Sequence, residues 1–212
     1  MKKIIFTALV GFFMVHTMSA QLSGSNTSKQ LHFGLKVGAN VSNIYDSEGE
    51  EYDASAKVGL AGGAFLSIPL GAYLGIQPEV LFSQKGFVAT STILGADVTM
   101  TRTTNYIDVP LFLAIKPNEM LTLLVGPQYS FLTKQNDKFT NPIADFEVNE
   151  DFETDNIRKN TLCLVGGVDF NLSNFVIGAR IGMDMFNNNG DGTTTTPRYK
   201  NVWAQATVGF RL

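Results

Sequence analysis

Outside the first twenty residues this chain has a single histidine, His32, the first place to look for a general base. No serine with an Asp or Glu relay can be placed beside it, so no nucleophile–base set assembles, and His32 reads as a polar residue at a strand end. Glu79 and Asp108 are carboxylates on neighbouring predicted strands, facing the same way, as an acid/base pair would require. Lys36, Lys57, Lys85 and Arg180 share that face, and ion pairing is the better reading of the two carboxylates. Asn187-x-Asn189-x-Asp191-Gly192 has the opening spacing of a calcium loop. Arg198 stands where its bidentate Glu should close it, so no metal is expected. Asp145, Glu147, Glu150, Asp151, Glu153 and Asp155 cluster in one stretch. A solvated surface loop is the plain reading, and binding of divalent ions or of a basic partner the sharper one. Cys163 is the lone cysteine and can form no intramolecular disulfide; it reads as a small buried residue. The expectation is no catalytic residue, no cofactor and no metal.

The elements that would position these groups are strands. Asn105, Ile107, Val109, Leu111, Leu113 and Ile115 form an almost wholly apolar stripe at period two, with Tyr106, Asp108, Pro110, Phe112, Ala114 and Lys116 between them. After a turn at Lys116-Pro117-Asn118-Glu119, Leu121, Leu123, Val125, Pro127, Tyr129 and Phe131 repeat the pattern. Period two places alternate side chains on opposite faces of a strand, so this is a hairpin with one greasy face. Each arm is near the 9–11 residues that a tilted strand needs to cross a bilayer.

The same unit recurs along the chain. Strands are expected from Leu31 to Val41, Val58 to Ile68, Leu74 to Lys85, Leu162 to Phe170, Phe175 to Met185 and Val202 to Leu212, flanking the hairpin. Residues 43–56, 86–104, 133–160 and 187–197 are expected as long polar loops; 69–71, 116–119 and 171–174 as short turns. Eight strands joined alternately by long and short connections match an outer-membrane barrel, with its even strand number, short periplasmic turns and longer outside loops.

Bulk properties agree. In 212 residues with a net charge of −3 there is no basic footprint, so nucleic acid is an unexpected partner. Met1 to Ala20 has the plan of a signal peptide: Lys2 and Lys3, an apolar run from Ile4 to Val15, and Met18-Ser19-Ala20 before a cut at Ala20/Gln21. No cysteine follows that run, which excludes a lipoprotein. Residues 21–30 read as a flexible leader and 31–212 as the barrel domain. Beyond the leader no apolar run approaches the ~18 residues of a membrane helix, which does not exclude a membrane protein, because barrel strands alternate and give a much weaker hydropathy signal.

Charge decides which face meets water. No Asp, Glu, Lys or Arg falls on the apolar stripe of any predicted strand. The other face carries Lys36, Lys57, Glu79, Lys85, Asp108, Asp169, Arg180, Asp184 and Arg211, besides Gln77, Gln128 and Gln205. In a soluble lipocalin-like carrier the apolar face would line a ligand cavity; in a membrane barrel it meets lipid and the charges point into the lumen. Aromatics near the stripe ends, Phe33, Phe170, Phe175 and Phe210 at one end and Phe82, Tyr129 and Phe131 at the other, form the girdles of a membrane barrel. An eight-stranded barrel is only wide enough for its own side chains, so the inner charges are expected to form a paired plug, with a narrow ion path as the alternative.

Gly34-Leu35-Lys36-Val37-Gly38-Ala39-Asn40, Gln77-Pro78-Glu79-Val80-Leu81-Phe82-Ser83-Gln84-Lys85-Gly86, Tyr106-Ile107-Asp108-Val109-Pro110-Leu111 and Gly126-Pro127-Gln128-Tyr129 resemble the PorT-type outer-membrane β-barrel family of Bacteroidetes-like bacteria. The terminal Gly209-Phe210-Arg211-Leu212 is similar to that family's barrel end, with Leu212 in place of the usual last aromatic. The resemblance implies an outer-membrane location and, through the family's founding member, an association with protein export. It does not transfer that job, because function resides in sites and not in folds. The expected protein is a monomeric all-β, eight-stranded up-and-down transmembrane barrel with a structural or surface-interaction role. Its expected contacts are outer-membrane lipid and lipopolysaccharide, the barrel-assembly machinery, and a surface or secretion-system protein.

Overall fold

The computed structural model describes residues 30–45, 54–93, 96–140, 145–148, 158–189 and 199–212. Its strands are β1 (His32–Tyr45), β2 (Ala54–Pro69), β3 (Leu74–Ile93), β4 (Ala96–Ile115), β5 (Leu121–Thr140), β6 (Asp145–Val148), β7 (Asn160–Leu172), β8 (Phe175–Asp184) and β9 (Lys200–Arg211). Every pairing is antiparallel. The sheet runs β4-β3-β2-β1-β9-β8-β7-β5 and closes on itself through β4–β5; β6 adds only to the outer end of β5. Closure leaves no barrel strand with an unpaired edge, a necessity where no water is present to satisfy the backbone. The stretches expected as signal peptide and, for the most part, as leader lie outside the described residues.

The short connections sit together at one end. Leu70 N donates to Leu74 O at 2.9 Å across the first, and Asn118 Oδ1 accepts from Met120 N at 3.0 Å and Leu121 N at 2.8 Å in the second. Ser173 takes a positive φ of 56° in the third. The other end departs from the expected long loops. Residues 86–104 form the outer ends of β3 and β4, paired from Gly86↔Thr103 to Ile93↔Ala96. Similarly β5 runs on to Thr140, and Asp145–Val148 pairs back on it as a ninth, short strand. The expected loop at 43–56 is trimmed on both sides by β1 and β2. In 86–104 the cause is composition: Val88, Thr90, Thr92, Val98, Thr99, Thr101, Thr103 and Thr104 are β-branched, and such residues favour strands even where the composition is polar.

The wall is therefore uneven. β3, β4 and β5 each have 20 residues, about 66 Å of extended chain, whereas β7, β8 and β9 have 13, 10 and 12. The short strands match what a bilayer needs; the long ones stand well proud of it on the outer side.

Between the girdles the outward side chains are apolar and exposed, among them Leu35, Val37, Leu60, Val80, Leu111, Val125, Leu164, Ile181 and Val208. A continuous exposed apolar belt around a whole barrel has no stable home in water. Phe175 and Phe210 pack edge to face at 5.4 Å at the short-turn end, and Tyr129 and Phe131 lie 4.8 Å apart at the other limit of the belt. The inward side chains are mostly polar: Asn40, Gln77, Glu79, Ser83, Lys85, Asp108, Gln128, Asp169, Arg180 and Gln205 are all buried. This is the reverse of a lipocalin-like carrier, whose apolar face points inward, so the carrier alternative falls.

Candidate functional site

The site is the lumen, filled in tiers. At the level nearest the short turns, Glu79 of β3 accepts from Lys36 of β1 at 2.9 Å and from Gln77 Nε2 at 2.9 Å. It also receives both Nη groups of Arg180 from β8, Nη2 at 3.0 Å from Oε1. The second carboxylate, Asp169 of β7, lies 3.4 Å from Arg180 Nη2 and 3.2 Å from Gln77 Nε2. Around the closed sheet β3 and β8 are four strands apart in either direction, so the Glu79–Arg180 pair spans the full diameter of the barrel. Two cations and two anions meet there, and bidentate guanidinium geometry holds them in one arrangement. Phe65 lies 4.5 Å from Lys36 Nζ and Phe112 lies 5.0 Å from the Arg180 guanidinium, so aromatic faces complete the cage.

Alternation places these groups. Glu79 lies inward because Val80 and Phe82 lie outward, and Arg180 lies inward between Ala179 and Ile181. Below them, at the short-turn mouth, a cavity of 30 Å³ is lined by Ser67, Gln77, Lys116, Thr122, Asp169, Asn171 and Arg211. That is room for roughly one water, not for a ligand.

Above the first tier, Asn40 Nδ2 donates to Ser83 Oγ at 2.9 Å and Gln205 Nε2 donates to Asn40 Oδ1 at 2.9 Å. Lys85 pairs with Asp108 at 3.0 Å, its ammonium 3.9 Å from the Trp203 ring and 4.9 Å from Tyr106. Trp203 fits because Gly182 opposite it has no side chain: a Cβ there would lie 2.3 Å from the indole. Cys163 donates to Asp184 Oδ1 at 3.2 Å, and Asp184 Oδ2 accepts from Asn201 N at 3.1 Å. The thiol is thus a buried packing element, as its isolation in the sequence implied.

An outermost tier, absent from the sequence expectation, joins β4, β5 and Tyr199, the residue just before β9. Arg102 Nε donates to Asp137 Oδ1 at 2.8 Å and Arg102 Nη1 to Tyr199 Oη at 3.1 Å; Tyr199 also accepts from Asn188 Nδ2 at 3.0 Å. Phe87 stacks edge-on against Tyr199 at 5.6 Å. Burial disfavours the Arg102 cation, but its bonds to Asp137 and Tyr199 outweigh this and hold it above the usual guanidinium range.

Of the nine charges expected in one network, Lys36, Glu79, Lys85, Asp108, Asp169 and Arg180 form ion pairs, in two separate groups. Asp184 is held by neutral donors instead. Lys57 is half-buried on β2 and belongs to neither group. Arg211 sits at the short-turn mouth, donating to Ser173 O rather than to a carboxylate. Glu79 and Asp108 do not meet as an acid/base pair: each is neutralised by its own cation. His32 opens β1 at the short-turn end, away from the outer surface. Among the described residues no group of three or more His, Cys, Asp or Glu could hold a metal ion. Asp191 and Arg198, and the acidic cluster from Glu150 to Asp155, lie outside them.

The family described as outer membrane protein beta-barrel domain matches residues 19–188. No curated protein matches the chain. Among solved structures it is similar to the attachment invasion locus protein Ail of Yersinia pestis, at 13% identity and a TM-score of 0.47, over 85% of this chain and 98% of that one. It is also similar to Neisserial surface protein A, at 11% identity and a TM-score of 0.45, over 85% and 97%. The N-terminal β-barrel domain of Pseudomonas aeruginosa OprF follows at 11% and 0.41, over 86% and 100%. The chain belongs to the outer membrane protein β-barrel domain family and is a β-barrel of the Gram-negative outer membrane.

Proposed function

We propose that this protein is a non-conducting outer-membrane barrel whose lumen is closed by its charged tiers, with a structural or surface-interaction role and no catalytic activity. The observation that carries this reading is the Glu79–Arg180 pair, which ties opposite walls of the barrel together and leaves both groups buried. An ion path needs sites that bind weakly enough for the ion to leave. Here the charges of the lowest tier, Lys36, Glu79, Asp169 and Arg180, are already matched by one another, with a second barrier at Lys85–Asp108 and a third at Arg102–Asp137.

The PorT-type resemblance is consistent with the same conclusion. Its motifs contribute Lys36, Asn40, Gln77, Glu79, Ser83, Lys85, Asp108 and Gln128, which are lumen residues. They describe how the barrel is closed, not a surface that meets an exported protein. An export role would have to be carried by the tall outer wall of β3, β4 and β5.

The test is conductance in planar bilayers. The purified, heat-modifiable barrel is expected to give no discrete current steps, whereas the Arg180→Ala/Glu79→Ala double variant opens the lowest tier. Stepwise ohmic conductance from the native protein would overturn the reading in favour of a narrow channel.

A further inference from the structure

Toward the short turns the lumen ends in a ring unlike its tiers. Every cation of the three tiers bonds to a carboxylate. Lys116 and Arg211, which line the small cavity below them, have neutral partners instead. Lys116, a buried residue, donates to Ser67 Oγ at 3.3 Å, and Arg211 donates to Ser173 O. Lys116 follows directly on β4 and Arg211 ends β9. Those strands are four apart in either direction around the closed sheet, so the two cations stand on opposite walls of the mouth. Burial, and then the charge of Arg211, hold the Lys116 ammonium below its usual range.

The carboxylates of the chain at this level do not answer those charges. Asp169 lines the same cavity but accepts from Arg180 and Gln77. Glu119 also lines it, exposed in the turn, and among the described residues neither Lys116 nor Arg211 forms an ion pair. Residues 21–30, which lead into β1 at this end, contain no Asp or Glu. Meanwhile the backbone fixes both cations: Lys116 N donates to Tyr73 O at 2.8 Å and Arg211 N to Asn174 O at 2.7 Å.

Two like charges held facing each other across a partly dry mouth make the space between them favourable for an anion. The cavity of 30 Å³ encloses no free ligand, so that anion has to enter from outside as the tip of a longer chain. A flat carboxylate on a slender stem meets this limit. Phosphate is tetrahedral and bulkier, and the carboxylate of a chain end carries a side chain and an amide on its first carbon. We propose that the short-turn mouth, which faces the periplasm in barrels of this kind, receives an acidic side chain of a periplasmic polypeptide, its carboxylate bridging Lys116 and Arg211. The site lies below the Glu79–Arg180 pair, so it stands or falls independently of whether the lumen conducts.

Solution NMR of the full barrel in detergent micelles tests this, read at the Lys116 Cε and Arg211 Nε signals. The probe is the blocked tripeptide acetyl-Gly-Glu-Gly-amide. Its glutamine counterpart, triglycine with a free chain end, and inorganic phosphate are the comparison arms. The glutamate peptide is expected to shift both signals saturably and to raise the Lys116 pKa, because a carboxylate between the cations offsets Arg211. Residues that merely support the turns would show neither. Lys116→Gln and Arg211→Gln, each read at the cation that remains, should weaken binding about fivefold, and Lys116→Arg should restore most of it. Glu119→Gln should strengthen binding by removing a competing carboxylate at the rim, while Lys57→Gln, farther up the lumen, leaves it unchanged. The heat-dependent gel shift establishes that each variant is folded, and the native barrel with its three comparison arms decides the question if a cation variant is not. An equal response to the glutamine peptide, to triglycine or to phosphate would overturn the proposal, the last as an adventitious ion only. So would no response at either cation, one undiminished in both cation variants, or one that appears only in Glu119→Gln, which would make Glu119 the occupant.

Discussion

Arg180 and Ile181 are consecutive residues on β8, and the wall of the barrel runs between them. Arg180 is 4% exposed, inside, forked across Glu79 and near Asp169; Ile181 is 70% exposed, outside, in the lipid belt. The two faces obey opposite rules because their solvents differ. Inside, water has been replaced by partner charges, and removing one partner leaves the others uncompensated. Outside there are no partners at all, and only apolar surface is tolerated. A single residue of register slip would exchange the two faces completely. The barrel's pairing is consequently fixed by chemistry on both sides of every strand.

The largest effect should come from breaking the inner rule at its centre. Arg180→Met leaves Glu79 with Lys36 and Gln77 but strips Asp169 of its cation, and should cost about 3–5 kcal/mol. Urea unfolding of the barrel in vesicles, followed by loss of the heat-dependent gel shift, measures it. An unchanged midpoint would mean that the tier is solvated and the lumen open. Next comes the outer rule, broken one residue later. Ile181→Arg puts a charge into the lipid belt and should cost about 2–4 kcal/mol in the same assay. Similar substitution at Thr101, on the part of β4 that stands beyond the girdle, should change stability by less than about 0.5 kcal/mol. Equal costs at 181 and 101 would show that the belt is misplaced.

The comparison sharpens at the second tier. Lys85→Met alone strands Asp108 and should be costly, whereas Lys85→Met with Asp108→Leu removes both charges together. Replacing a buried ion pair by packed apolar groups is often neutral or stabilising, so the double variant should recover most of the loss. A double variant no better than the single one would assign the cost to lost contacts with Trp203 and Tyr106 and not to an orphaned carboxylate.

Much of this two-sided order is legible in the sequence, since period two alone separates Ile107, Val109 and Leu111 from Asp108 and the charged stripe from the apolar one. What is not legible is which charges meet. Strand order and stagger bring Glu79 to Arg180 across the diameter, and no local pattern encodes that pairing. The third tier was hidden for a different reason. Between Asn105 and Tyr106 the partner strand advances two residues, from Lys134 to Leu132, so Thr133 is an extra residue in β5. Such a bulge shifts the alternation by one, and Asp137 then faces inward although period two counted from Phe131 would turn it outward. Gly86, at φ 150° where a Cβ would lie 2.0 Å from Arg102 O, keeps β3 in unbroken register with β4 through the same height. Polar composition made both stretches look like loops. In fact they are the outer wall, and only their pairing partners reveal it.

Within the membrane-spanning part the smallest loss is expected at the girdle, where neither rule applies in full. Phe175 and Phe210 pack edge to face at 5.4 Å at the short-turn boundary, on adjacent strands and in direct register. Phe175→Leu keeps an apolar side chain there and removes only the ring geometry, so the loss should be about 0.5–1.5 kcal/mol. Phe210→Leu should cost a similar amount, and the double variant no more than either one. That non-additivity, read from the three unfolding midpoints, would identify the ring pair itself as the stabilising unit. Simple addition would mean that each phenylalanine contributes through its own contact with the interface, and that the two rings are neighbours without being partners.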